Sequence, residues 1–269
     1  MVAGSRSMTF SHADFHAIAA VNDDEILRDC LQLSPDIAQA RLPLTVIRGA
    51  ASMAEAYNRG LAETDRRICV FIHQDVYLPS GWLDRAVDLL NRLEQDHPQW
   101  MVAGPYGVQK NGSHTGRVWD VNMGCELGEA SFEPTPVESL DELLLILKRE
   151  AGFRFDPGLP HFHLYGTDLV QSALAADRGA FAVELPVVHN NRPYSSLAGG
   201  YVDGYRYARR KWRHRLPIFT TICAITYNPI PLWRAQWRRR KVRERPQKLL
   251  AGSRDAAQQA GYEAMAQGR

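Results

Sequence analysis

The run Ile68–Ile72 (ICVFI) is apolar at every position and passes directly into His73-Gln74-Asp75. A strand without polar alternation is covered on both faces, as in a sheet flanked by helices on either side. Three further runs share this character: Phe15–Val21, ended by Asn22-Asp23-Asp24, then Leu42–Ile47 and Trp100–Gly104. Between them, Asp24–Leu33, Ser52–Ala62 and Trp82–Leu93 carry apolar residues at helical spacing. Ser52 with Glu55 three residues later forms a capping signature. Strands alternating with helices predict an α/β fold on a mostly parallel, Rossmann-like doubly wound sheet with helices on both faces.

After Gly104 the pattern changes. Residues 105–138 hold five glycines and three prolines, a composition of loops and short strands. Leu140–Lys148 reads as a helix capped by Ser139 with Glu142, and Asp168–Ala176 as another, begun by Asp168 and stopped by Gly179. Ala180–Val188 is expected to form a strand ending at His189, while Gly49 and Gly60 read as turn and helix-end residues.

Charge divides the chain. The formal net charge of +2 over 269 residues conceals a segment, 204–248, with 14 Lys and Arg against one acid, Glu244. The expected organisation is an α/β domain over residues 1–203, a basic aromatic-rich helical extension over 204–250 and a weakly ordered tail over 251–269. Four well-separated cysteines fit neither a zinc ribbon nor a disulfide scaffold, and they suit a reducing, cytoplasmic setting. No signal-peptide pattern and no apolar run of about 20 residues is seen, which argues against a spanning helix and leaves a monotopic membrane contact open.

Ligands of open α/β sheets bind outside the carboxyl ends of the strands, so polar residues there are the first candidates. Three such ends stand out: Asn22-Asp23, His73-Gln74-Asp75 and His189-Asn190-Asn191. His73 and Asp75 project from one face of an extended segment, and with His189 they could hold a divalent cation such as Mg²⁺ or Mn²⁺. The pattern alone equally allows them to cap the strand and the turn after it. His161 and His163 are open to ligand contact or core packing, and Trp119-Asp120 to sugar stacking or loop anchoring.

The segments Ser52-Met53-Ala54-Glu55-Ala56-Tyr57-Asn58-Arg59-Gly60-Leu61 and Val70-Phe71-Ile72-His73-Gln74-Asp75-Val76, followed by Phe155-Asp156, Tyr165-Gly166-Thr167-Asp168-Leu169 and His189, resemble family 2-like glycosyltransferases of the GT-A fold. The likeness spans about residues 15 to 192 and is nearest the subgroup in which His-Gln-Asp replaces the usual Asp-any-Asp metal motif. The resemblance implies transfer of a sugar from a nucleotide-activated donor to a glycan or lipid-linked acceptor, metal-assisted and with inversion. It implies that Asp75, with His73 and His189, holds Mn²⁺ or Mg²⁺. It places Asn22, Asp23, Arg48, Asn58, Gln74 and Asp75 against the nucleotide-sugar and makes Asp168 the general base. Without the resemblance, Asp168 reads as a plain N-cap.

The basic segment carries two clusters, Arg206–Arg215 and Arg234–Arg245, each interleaved with Tyr or Trp, around the proline-broken Leu216–Trp233. Cations and aromatics beside apolar residues suit the interface of an anionic membrane, on the inner face for a cytoplasmic enzyme. The rival readings are a nucleic-acid-binding protein, which leaves His73, Asp75 and Asp168 without a purpose, and a transferase-like protein that only binds sugar nucleotides.

Overall fold

The computed structural model describes residues 9–150, 152–191, 197, 200–240 and 252–266. In chain order the elements are β1 (Phe15–Val21), α1 (Asp24–Asp29), α2 (Pro35–Ala38), β2 (Leu44–Arg48), α3 (Met53–Ala62), β3 (Ile68–Ile72), β4 (Val76–Tyr77), α4 (Trp82–Asp96) and β5 (Trp100–Gly104). There follow β6 (Tyr106–Val108), β7 (His114–Asp120), β8 (Cys125–Glu129), β9 (Thr135–Pro136), β10 (Ser139–Leu140), β11 (Leu144–Lys148), α5 (Tyr165–Ala175), β12 (Gly179–Ala182) and β13 (Val187–His189). The chain continues through α6 (Tyr201–Lys211), α7 (Ile230–Arg240) and α8 (Ser253–Gln259).

The main sheet has the order β2-β1-β3-β11-β5-β12-β9. Its parallel pairs are β1 with β2, β1 with β3, and β5 with β12, as the alternating apolar runs predict. Successive side chains of β3 point to opposite layers: Ile68, Val70 and Ile72 pack under α4, while Cys69 and Phe71 pack under α3 and α5. Gly60 lies inside α3 and not at its end. A Cβ there would sit 2.3 Å from Ile18 Cγ2, so glycine lets the helix close on β1.

The expected helix over 140–148 is corrected to strands. β11 lies antiparallel between β3 and β5, and makes the main sheet mixed. Leu144–Leu147 are buried to both sides, two residues in each layer. A continuous leucine-rich run satisfies both helical and extended periods, and here the slot between two strands decided. The capping signature is spent elsewhere: Ser139 Oγ donates to Phe219 O at 2.7 Å.

The glycine-rich region folds into a second sheet, β10-β6-β7-β13-β4, with β8 on the far edge of β7. The expected strand over 180–188 is divided between the sheets, as β12 in the first and β13 in the second. β13 runs parallel to β7 and antiparallel to β4, with His189 in register with both Asp120 and Val76.

The expected boundary at residue 203 falls inside α6. Tyr201, Tyr205, Ala208 and Trp212 share a buried cluster with Leu164, Ile218, Ile225 and Leu232, which joins this segment to the body. Residues 252–266 are likewise docked. Ala256, Ala257 and Tyr262 pack on Tyr77 and Val188, and Tyr77 Oη donates to Glu263 at 2.6 Å. Residues 241–250, with the rest of the second basic cluster, lie outside the described residues.

Because Leu145 and Ile146 face opposite layers, alanine at either should cost about 2–5 kcal/mol in urea unfolding. A helix with one buried face would tolerate one of the two.

Candidate active site

The register of β13 assembles the site. β3 delivers His73 at its end, the turn closed by Val76 N–H on His73 O brings Asp75 round, and β13 sets His189 beside them. One ligand atom from each of His73, Asp75 and His189 lies within 4.8 Å of the others. His189 Nε2 is 3.4 Å from Asp75 Oδ2, and His73 Nδ1 is 3.9 Å from Asp75 Oδ1.

Two observations fit this trio to a metal ion. His189 Nε2 is buried yet has no hydrogen-bond partner among the described residues, a costly arrangement unless something else fills it. The second concerns the His73 tautomer. Tyr165 Oη donates its single proton to Glu142 O at 2.7 Å, so at the 2.6 Å contact with His73 the Nε2 must be the donor. That leaves the lone pair on Nδ1, the nitrogen facing Asp75, as an outer partner does for a ligating histidine.

The charges of the trio act strongly on one another. Burial opposes ionisation of Asp75, but the His189 and His73 beside it overcome that and hold its carboxyl well below the usual carboxylate range. Burial pulls His189 down, yet the charge of Asp75, with Asp141 and Asp120 behind it, lifts the imidazole to about 9. Burial depresses His73.

Beside the trio opens a cavity of about 590 Å³, of a size for a small organic ligand. Its wall includes His73, Asp120, Asp141, Glu142, His163 and His189. Leu164, also in the wall, has φ +65° in the left-handed region, and so has His161 at φ +63°. Such backbone strain in residues other than glycine concentrates where a site requires it. Glu142 lies by the start of α5, where the nearby backbone N–H groups of Gly166, Leu164 and Tyr165 favour its charged form, and its Oε2 is 3.9 Å from His163 Nδ1. Burial and the neighbouring Asp141 nevertheless raise the Glu142 carboxyl well above its ordinary value. Asp120 takes Met123 N–H and Asn191 Nδ2. Among the described residues, hydrogen bonds account for one oxygen of Asp141, which accepts from Leu143 N–H at 3.2 Å.

The other expected residues divide. Asn22, Asp23 and Gln74 form one rim: Gln74 Oε1 accepts from the N–H of both, and its Nε2 donates to Asn22 Oδ1 at 2.6 Å. Asp23 also caps α1. Arg48, at the adjacent strand end, pairs with Asp24 at 2.5 Å. Asn58 ties two segments together: its amide donates to Phe155 O and accepts from Phe155 N–H. Trp119 lies in β7, not in a loop, and packs with Tyr77, Val188 and α8.

Asp168 faces away from the cavity. It lies in the first turn of α5, not at its cap, and is 4% exposed. Its carboxylate takes Lys211 Nζ at 2.9 Å and Trp212 Nε1 at 2.7 Å, while Thr167 turns to the cavity in its place. Burial raises the Asp168 carboxyl, and Lys211 and Trp212 oppose that. Lys211 reaches Asp156 too, at 2.6 Å, so this acid anchors α6 to α5. Sequence reasoning missed Asp141 and Glu142, because it assigned them to a helix. Their signal was two adjacent acids at the edge of a fully apolar run.

Mn²⁺ should raise the melting temperature of the wild type, about 2.7 kcal/mol at a hundredfold excess over Kd, with no gain in His189→Ala. The proton that His189 holds up to about pH 9 competes with the ion, so thermal shift should grow as pH rises toward that value. Lys211→Met strands a buried carboxylate and should destabilise by about 3 kcal/mol. Adding Asp168→Asn to it should restore part of that loss, as read by chemical denaturation.

Comparison with known proteins gives a family. The model described as "Glycosyltransferase like family" matches residues 16–191. A curated relative from Fuscovulum blasticum, "ATP synthase subunits region ORF 6", is 30% identical over 131 residues, 47% of this chain and 52% of the relative. The chain thus spans about half the length of that relative. Among solved structures, S. aureus TarS 1-349 is similar with TM-score 0.47 and 13% identity, over 73% of this chain and 63% of that one. The mannosyltransferase PcManGT from Pyrobaculum calidifontis, in complex with GDP-Man and Mn²⁺, has TM-score 0.43 and 13% identity, over 95% and 76%. The family match begins in β1 and ends two residues beyond His189, enclosing the trio, the rim and the Asp141–Glu142 wall, and the chain belongs to this glycosyltransferase-like family.

Proposed function

We propose that the chain transfers a sugar from a nucleoside-diphosphate donor to an acceptor hydroxyl on a glycan or lipid-linked molecule, with inversion. The observation that carries this reading is the trio of His73, Asp75 and His189, of which His73 and His189 line a cavity whose wall also bears Asp141. The donor nucleoside would lie along the Asn22, Asp23, Gln74 and Arg48 rim, with its diphosphate toward Asp75. A divalent cation, Mn²⁺ or Mg²⁺, held by the trio would stabilise the charge that develops on the leaving phosphate.

The chain's own residues would do the rest. The acceptor oxygen attacks the anomeric carbon, the bond from that carbon to the phosphate oxygen breaks with its electrons leaving on the diphosphate, and a base takes the hydroxyl proton. Asp168 is unsuited, being turned to Lys211 and Trp212. Glu142 faces the start of α5 and His163. We assign the base to Asp141, and give His163, in the same wall, a part in seating the acceptor.

Nucleotide release from a panel of nucleoside-diphosphate sugars, with Mn²⁺ and with candidate acceptors, tests this reading. Asp141→Asn should lower kcat by about 10²–10⁴-fold while donor binding persists, whereas Asp168→Asn should keep turnover per folded molecule. Near-normal turnover in Asp141→Asn would remove the base assignment. Donor binding with no product under any condition would leave a sugar-nucleotide-binding protein.

A further inference from the structure

The two basic clusters of the C-terminal segment, alike in sequence, have different surroundings. In the first, Lys211 is committed to Asp156 and Asp168, Arg215 Nε donates to Gln171 at 2.6 Å, and Arg206 pairs with Asp203. Of this cluster Lys211 and Arg215 are bonded to the body, while Arg206, Arg210 and Arg213 are exposed. The second begins on α7, whose surroundings are unlike these. Of the nine large exposed hydrophobic residues among those described, five fall between residues 222 and 237: Ile222, Tyr227, Ile230, Trp233 and Trp237. Trp233 is 77% exposed and Trp237 59%.

The helical geometry sorts them. At 3.6 residues per turn, Ile230, Trp233 and Trp237 fall within about 60° of one another. Arg234 and Arg238 flank this stripe on one side and are exposed. Leu232 and Ala235 lie on the opposite side of the helix and are buried, Leu232 in the cluster with Tyr205, Trp212 and Ile218. α7 is therefore fixed to the body by one face and presents tryptophan and arginine on the other. Residues 204–243 contain no Asp or Glu, so no acid of that segment neutralises the surface.

We infer that the Ile230, Trp233 and Trp237 face of α7, with Arg234 and Arg238, docks in the interface of an anionic lipid bilayer. Tryptophan favours the headgroup level of a bilayer, and arginine beside it meets the negative charge of anionic lipid. The helix would lie in the surface plane. Among the described residues no helix is long and apolar enough to cross a membrane. A bilayer suits the face better than a nucleic acid, because the outermost residues are tryptophan and isoleucine and the cations flank them. The same segment also carries part of the cavity wall, Thr220 to Ile222, so docking would bring the cavity close to the lipid surface. The docking does not depend on the sugar-transfer reading.

Cosedimentation of the full chain with phosphatidylcholine vesicles, with and without phosphatidylglycerol, tests the inference. The wild type should bind only the anionic vesicles, and brominated lipid should quench its tryptophan fluorescence. Arg234→Ala with Arg238→Ala should lower partitioning roughly thirtyfold, about fivefold for each cation, and Trp233→Ser with Trp237→Ser should abolish the quenching. These side chains are exposed, so unchanged melting temperatures should accompany both losses. Arg206→Ala with Arg210→Ala, exposed on α6 outside the proposed face, should lower partitioning less than the α7 pair does. Equal binding by the α7 variants and the wild type, or retention on RNA with none on anionic vesicles, would overturn the inference.

Discussion

The site rests on a carboxylate taken out of water between two imidazoles. Asp75 is 9% exposed, and burying a charge costs several kcal/mol unless partners repay it. Its partners come from separate strands: His73 from the end of β3, His189 from the end of β13. Both sheets must therefore be in place before the carboxylate is compensated. The register of β13 between β4 and β7 sets His189 opposite Asp120 and Val76 and is the constraint that completes the trio. Tyr165 extends this constraint to α5, since its hydroxyl orients His73 and is held in turn by the carbonyl of Glu142.

A second group of contacts shapes the cavity beside that trio. β11 enters antiparallel between two strands of the main sheet and carries Asp141 and Glu142 to the cavity edge. Glu142 lies beside the start of α5 and the left-handed Leu164, both at the cavity wall. On the outer side of α5, Asp168 takes Lys211 and Trp212 and holds α6 against the body. Two acids near one helix thus do different work. Glu142 faces the site through the helix start, and Asp168 faces the neighbouring helix.

Much of this was legible in the residues. The apolar runs of β1, β3 and β5 are covered on both faces, so their sequences admit few other environments, and the structure keeps their bounds. The strand-end rule brought His73, Asp75 and His189 forward together, because polar residues that end buried strands have to lie at the sheet's carboxyl edge. Asp141 and Glu142 were hidden by a leucine-rich run that satisfies two periodicities. Asn58 and Asp168 stood in ligand-binding positions by likeness, and only their partners, Phe155 for one and Lys211 with Trp212 for the other, show what each carboxylate or amide is holding.

The sequence by itself determined an α/β sheet with an acidic and imidazole-bearing edge, and a C-terminal stretch rich in arginine and tryptophan. Local periodicity and charge suffice for that, since they report which faces can be buried. Tertiary structure alone decided that β11 is a strand, that Asp168 bonds to Lys211 and Trp212, and that α7 buries one face and turns tryptophan and arginine outward. Each of these depends on contacts between residues far apart in the chain, such as Lys211 with Asp168 and Ile146 with Ala103. A single-chain pattern does not encode such pairings one residue at a time, because the energy belongs to the pair.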